Sequence, residues 1–104
     1  MATGTIKMDK GVNNYGNKVN IASYNSASNK YTFPSDGYVT MNSSSTTTGK
    51  LNGALYSADN KYIASMTATI SGAYYANSWY VRKGMKCYVE LSGSMVAEFY
   101  PLSD

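Results

Sequence analysis

Three kinds of side chain in this sequence could do chemistry: six carboxylates, one thiol and a set of eleven tyrosines. The carboxylates are Asp9, Asp36, Asp59, Glu90, Glu98 and Asp104. Glycoside hydrolysis needs two carboxyl groups about 5–10 Å apart. Glu90 and Glu98 fall on successive alternating segments and could approach one another. Both alternate with core-type residues, however, so both are expected to face solvent or a subunit interface. Asp36 stands in Pro-Ser-Asp-Gly and Asp59 in Ser-Ala-Asp-Asn. In such turns an aspartate hydrogen-bonds nearby backbone. The alternative use of that pair is a calcium site completed by loop carbonyls.

Other routes to catalysis lack their residues. There is no histidine, which removes Ser-His-Asp and Cys-His arrangements and the commonest metal ligand. With one cysteine and no histidine, a structural zinc site has too few ligands. Cys87 sits in the run Met85, Cys87, Val89, Leu91 and reads as a small buried hydrophobe; no neighbouring base marks it as a reactive thiol. Gly49-Lys50 lacks the upstream glycine of a phosphate loop. The expectation is a chain that is not an enzyme, with no cofactor and no metal.

The tyrosines, with one tryptophan, are the positive signal. Tyrosine combines a large rigid apolar area with a hydroxyl, and so suits interfaces and recognition surfaces. The densest run is Tyr74-Tyr75-Ala76-Asn77-Ser78-Trp79-Tyr80. Its aromatics could fill a thin core or a subunit interface, or form a patch that binds glycan or protein. The candidate binding residues are Tyr74, Tyr75, Asn77 and Trp79, and the Ser43–Thr48 loop is a further candidate. The candidate oligomer contacts are Tyr80, Tyr88 and Tyr100.

The elements that must position these residues are strands. Glycines recur along the whole chain and no long window has a period of 3.6. Short alternating runs rich in Tyr, Thr and Val are separated by Gly, Asn, Asp and Ser turns. Strands are expected over 19–24, with Val19 and Ile21 inward, into Pro34, and out through Val39 and Met41. Others are expected over 50–56, with Leu51, Gly53 and Leu55 on one face, and over 61–70, with Tyr62, Ala64, Met66, Ala68 and Ile70 sharing a face. Trp79-Tyr80-Val81 leads to a tight turn at Lys83-Gly84. Residues 85–91 follow, and then Met95, Ala97 and Phe99 alternate until Pro101. Seven or eight short strands in a chain this size suggest a single-domain antiparallel sandwich or jelly roll. Residues 1–18, polar and rich in Gly and Asn, are expected to be an extended arm, with the domain at 19–104.

Length and charge bound the partners. A chain of 104 residues buries only about 60–65% of its unfolded surface, and oligomer formation offsets a thin core. Charged residues are 14% of the chain, against roughly 25% in typical soluble domains. A surface of neutral polar residues can pack against copies of itself without burying many ions. The lysines are scattered, and the one local basic cluster is Arg82, Lys83 and Lys86, which argues against nucleic acid. No apolar stretch is long enough for a helix to cross a membrane. Met1–Lys7 has no apolar core of the kind a secretory leader needs. The expected place of synthesis is a cytoplasm, where the protein stays unless carried out by another route; release by cell lysis, as with a virion, is one such route.

Two spaced motifs carry a resemblance over residues 19–102. Tyr31-Thr32-Phe33-Pro34-Ser35-Asp36-Gly37-Tyr38-Val39 resembles the first core strand of tumour-necrosis-factor-like jelly rolls, which include the globular heads of complement-type collagen proteins. Trp79-Tyr80-Val81-Arg82-Lys83-Gly84-Met85-Lys86-Cys87-Tyr88-Val89 resembles their later strand pair, with Met85 where an aspartate is usual. Phe99-Tyr100 resembles their closing strand. The same pattern is similar to short structural proteins of tailed phages that serve as fibre tips or head fibres. The resemblance implies a trimeric jelly roll with aromatics along the threefold axis and loops free at the apex. Its partners would be other virion proteins and a host-surface glycan or protein. Rival readings are a carbohydrate-binding module or bacterial adhesin, and a nucleic-acid-binding barrel.

Overall fold

The computed structural model describes residues 17–102. Apart from Asn17 and Lys18, the expected N-terminal arm lies outside the described residues, as do Ser103 and Asp104. Eight strands follow in order: β1 (Val19–Asn20), β2 (Tyr31–Thr32), β3 (Gly37–Ser43), β4 (Gly49–Tyr56), β5 (Tyr62–Ile70), β6 (Ala76–Val81), β7 (Lys86–Gly93) and β8 (Met95–Pro101). They form two four-stranded antiparallel sheets, β1-β8-β3-β6 and β2-β7-β4-β5. The chain is all-β, as its turn spacing and alternation predict.

The pairing is nested. β4 pairs with β5, β3 with β6, β2 with β7 and β1 with β8. Only β4 and β5 are consecutive strands of one sheet; every other link passes from one sheet to the other. The tightest of these passages joins β7 to β8 through Gly93 and Ser94. Gly93 has φ +61°, and a side chain there would also run into the carbonyl of Thr48. Glycine meets both demands, since it has no Cβ.

The core lies between the sheets. Val39, Met41, Ala97 and Phe99 face it from one side, and Leu51, Met66, Cys87 and Val89 from the other, all essentially inaccessible. Phe33, just past β2, meets Phe99 of β8 at a centroid distance of 4.9 Å. Tyr31 packs edge-on against Phe33 at 5.4 Å, an arrangement aromatic rings favour. Phe33 continues the β2 ladder: its N–H donates to Met85 and its carbonyl accepts from Gly84.

Two elements differ from the sequence reading. The strand expected over 19–24 stops at Asn20, because the Asn20 side-chain carbonyl accepts the Ala22 N–H at 2.9 Å and turns the chain. Ile21 is nonetheless fully buried. In β5 the expected shared face breaks at its start. The β4–β5 register shifts between Leu55 and Tyr56, so that Tyr62 pairs with Tyr56. The irregularity sends Tyr62 outward, 60% exposed, while Met66 and Ile70 remain in the core.

Replacing a ring at the inter-sheet contact tests this packing. Phe99→Ala is expected to cost about 3–5 kcal/mol, read as a lower urea midpoint at fixed protein concentration. Tyr74→Ala, at a residue 74% exposed, is expected to change stability by less than about 0.5 kcal/mol.

Candidate functional site

Alternation sets what the β1-β8-β3-β6 sheet shows on its outer side. While Val39 and Met41 point inward, Tyr38, Thr40 and Asn42 point outward. The antiparallel register then aligns them with the outward residues of neighbouring strands. Tyr80, Tyr38 and Tyr100 stand abreast in one row; Ser78, Thr40, Glu98 and Asn20 form the next; Ala76, Asn42 and Val96 form a third. The Tyr38 and Tyr80 rings meet edge-on at 5.4 Å. A shallow depression of about 340 Å³ is lined by Tyr38, Thr40, Ser78 and Tyr100.

These rows contain a single charge, Glu98, and it is paired. Lys18 lies 3.1 Å from its carboxylate, and the Tyr100 hydroxyl donates to Oε1 at 3.4 Å. The Lys18 ammonium is held above its ordinary value by the hydrogen bond and the charge of Glu98. The outer face of the other sheet is different in kind. Its rows carry Lys50, Glu90 and Lys86 among threonines, asparagine and tyrosines.

The Pro-Ser-Asp-Gly-Tyr segment is more than a turn. Asp36 Oδ1 accepts the Lys83 N–H at 2.8 Å and Oδ2 accepts the Tyr80 hydroxyl at 3.1 Å. The Asp36 carbonyl accepts the Leu102 N–H. One aspartate therefore fastens the β6–β7 turn and orients a member of the tyrosine row. The Lys83 N–H, then the Tyr80 hydroxyl, and then the nearby charges of Arg82 and Lys83 hold its carboxyl below the ordinary value. Burial, and then the Asp36 carboxylate, push the Tyr80 hydroxyl up.

The other residues singled out from the sequence fall in several places. Tyr80 and Tyr100 share the row just described, whereas Tyr88 lies on the outer face of the opposite sheet, 6.3 Å from the Tyr56 ring. Tyr74 is the most exposed of the large hydrophobic side chains among the described residues. Tyr75 and Trp79 pack partly against the core, and Asn77 donates to the Tyr75 hydroxyl at 3.3 Å. The Ser43–Thr48 segment is knit to its neighbours. Ser43 Oγ accepts the Tyr75 N–H, the Ser94 hydroxyl donates to the Thr47 carbonyl, and Gly72 N–H donates to Thr46.

Glu90 and Glu98 belong to different sheets and lie on opposite outer faces. They are close in sequence and cannot converge on one substrate. Cys87 is buried, and burial pushes its thiol up to about 12. Asp59 is hydrogen-bonded to the Ser57 hydroxyl and lies 3.9 Å from Lys61. No cluster of three or more potential metal ligands occurs among the described residues.

Tyr38 and Thr40, which are not among the binding or contact residues expected from the sequence, occupy the centre of this weakly charged face. Their signal was present, since they alternate with Val39 and Met41. Tyr62, expected on the inward face, instead meets Tyr56 on the outer one, because the register is irregular there. Comparison with protein-family models, curated proteins and solved structures finds no match to this chain.

The Asp36 clamp has a pH signature. Its carboxyl is held below the ordinary 3.8. It therefore stabilises the fold above that value, and the contribution is lost as pH falls through its folded-state value. Asp36→Asn is expected to lower the urea midpoint at about pH 6, with the gap to the unmodified chain closing toward about pH 2.

Proposed function

We propose that the chain is a non-enzymatic virion structural module of the phage type, a fibre tip, head fibre or decoration unit that acts in assembly and attachment. In this reading it forms a homotrimer through the outer face of the β1-β8-β3-β6 sheet. The observation that carries it is the row of Tyr80, Tyr38 and Tyr100 in a face whose strand rows carry, among the described residues, one charged side chain, Glu98, which is paired with Lys18. Tyr80 is 48% exposed in the single chain. Covering such a face removes aromatic surface from water at little cost in stranded charge. A flat, weakly charged patch with aromatic anchors is the composition of an interface centre.

Two further observations support the jelly-roll and trimer parts of the proposal. The nested pairing, β1 with β8 through to β4 with β5, is the connectivity of a long hairpin rolled into two sheets. The Pro-Ser-Asp-Gly-Tyr segment that resembles the tumour-necrosis-factor-like modules enters β3 and ends at Tyr38, in the middle of the tyrosine row. Tyr88, on the opposite sheet, would stay outside this contact.

Mass in solution tests the proposal. Sedimentation equilibrium of the full chain is expected to give three times the 11.3 kDa chain mass. Thr40→Glu places a second carboxylate beside Glu98 at the centre of the face, and is expected to give a folded monomer by the same measurement together with circular dichroism. A monomeric unmodified chain at micromolar concentration would overturn the trimer.

A further inference from the structure

The opposite sheet carries a cluster that the proposed assembly does not use. We infer that the outer face of β7, β4 and β5, at the end near the β4–β5 turn, binds an acidic polysaccharide. The inference goes beyond the assembly reading and stands whether the chain is a monomer or a trimer.

The cluster is built from Tyr56, Tyr62 and Tyr88 together with Lys30 and Lys86. The rings of Tyr56 and Tyr62 lie 6.1 Å apart at 79°, and those of Tyr56 and Tyr88 lie 6.3 Å apart at 36°. Tyr62 is 60% exposed and its neighbour Ile63 50%. The Tyr62 hydroxyl hydrogen-bonds Ser65 Oγ at 2.7 Å, which steadies the ring. Lys30 reaches across β7 to place its ammonium 4.4 Å from the centroid of Tyr56. Lys86 stands directly opposite Tyr56 in the ladder.

Both ammonium groups are fixed without being neutralised. Lys30 Nζ donates to the Ala27 carbonyl at 2.7 Å, and Lys86 Nζ donates to the Ala58 carbonyl at 2.7 Å. Among the described residues neither has a carboxylate within ion-pair distance. An ammonium has three N–H donors, so each keeps donors for a ligand. Their anchoring reduces the ordering that binding would otherwise require. The nearby pair of Lys61 and Asp59 is 3.9 Å apart and exposed on both sides, so it screens the patch little.

The geometry selects the occupant. Two rings near a right angle make a corner, which suits a puckered sugar ring with apolar C–H faces better than a flat base. Stacking of single-stranded nucleic acid uses successive aromatic platforms along a basic groove, and this corner offers neither. For a membrane surface, Ile63 is the one strongly exposed aliphatic side chain among the described residues, too little to insert. A polymer of sugar rings bearing carboxylates meets both the tyrosine corner and the two cations. Each contact is weak alone, and repetition along the polymer and between copies raises avidity.

The test is titration calorimetry of the full chain with polygalacturonate, neutral dextran and oligo(dT) at low salt, with mass measured on the same samples. Binding to polygalacturonate alone is expected, weakening as salt is added. Tyr62→Ala and Lys30→Gln are each expected to weaken it by roughly tenfold, while Tyr74→Ala leaves it unchanged. Circular dichroism establishes that each variant is folded. Absence of polygalacturonate binding overturns the inference, as does equal binding of dextran or oligo(dT). Unchanged binding by both folded variants overturns it as well. A monomeric mass with intact polygalacturonate binding would overturn only the trimer.

Discussion

The contact of Phe33 with Phe99 joins the two sheets, and much of the molecule's outward appearance follows from it. Phe33 directly follows the short strand at one sheet's edge, and Phe99 belongs to a strand central to the other. Gly37 leaves room for the Phe99 ring, since a side chain there would collide with it. Once these rings are inside, strict alternation decides the rest. Residues on either side of Phe99, Glu98 and Tyr100, must face out, and the register then brings Thr40 and Tyr38 beside them. The surface that could assemble is thus the reverse side of the core.

Much of this was legible in the residues. The alternation of Cys87 and Val89, and of Ala97 and Phe99, identifies two inward faces without reference to any fold. The turns at Lys83-Gly84 and Ser57–Asn60 are where glycine and polar residues place them. Partner choice was not legible. Alternation says which way a side chain points relative to its own strand, and nothing about which strand lies beside it. Glu90 and Glu98 show the difference. They occupy consecutive strands, as the sequence suggests, yet the chain changes sheet between them. The Tyr56–Tyr62 pairing was hidden for a related reason, because a single extra residue in β5 reverses the side on which the strand's first residue appears.

Asp36 illustrates a second limit. In the sequence it is one of two turn aspartates, and its local environment accounts for it fully. In the structure its two oxygens hold a backbone amide and a tyrosine hydroxyl from a strand more than forty residues later. Such a role depends on the nested topology that brings the start of β3 beside the end of β6. The two outer faces acquire their contrast in the same way. One gathers tyrosines, threonine and serine around a neutralised ion pair, and the other holds Lys30 and Lys86 on backbone carbonyls without a carboxylate partner among the described residues. Neither set is contiguous along the chain.

The nesting also bears on how the molecule comes into being. β8 lies between β1 and β3, so neither of those earlier strands has its partner on that side until β8 has been synthesised. Only the β4–β5 hairpin can close locally. Pairings of this kind must overcome the loop entropy of long segments before any contact rewards them. A partly made chain would therefore leave the edges of β1 and β3 open on the ribosome, where a second nascent copy could pair with them, and the same strand that completes the sheet also protects it from misassembly.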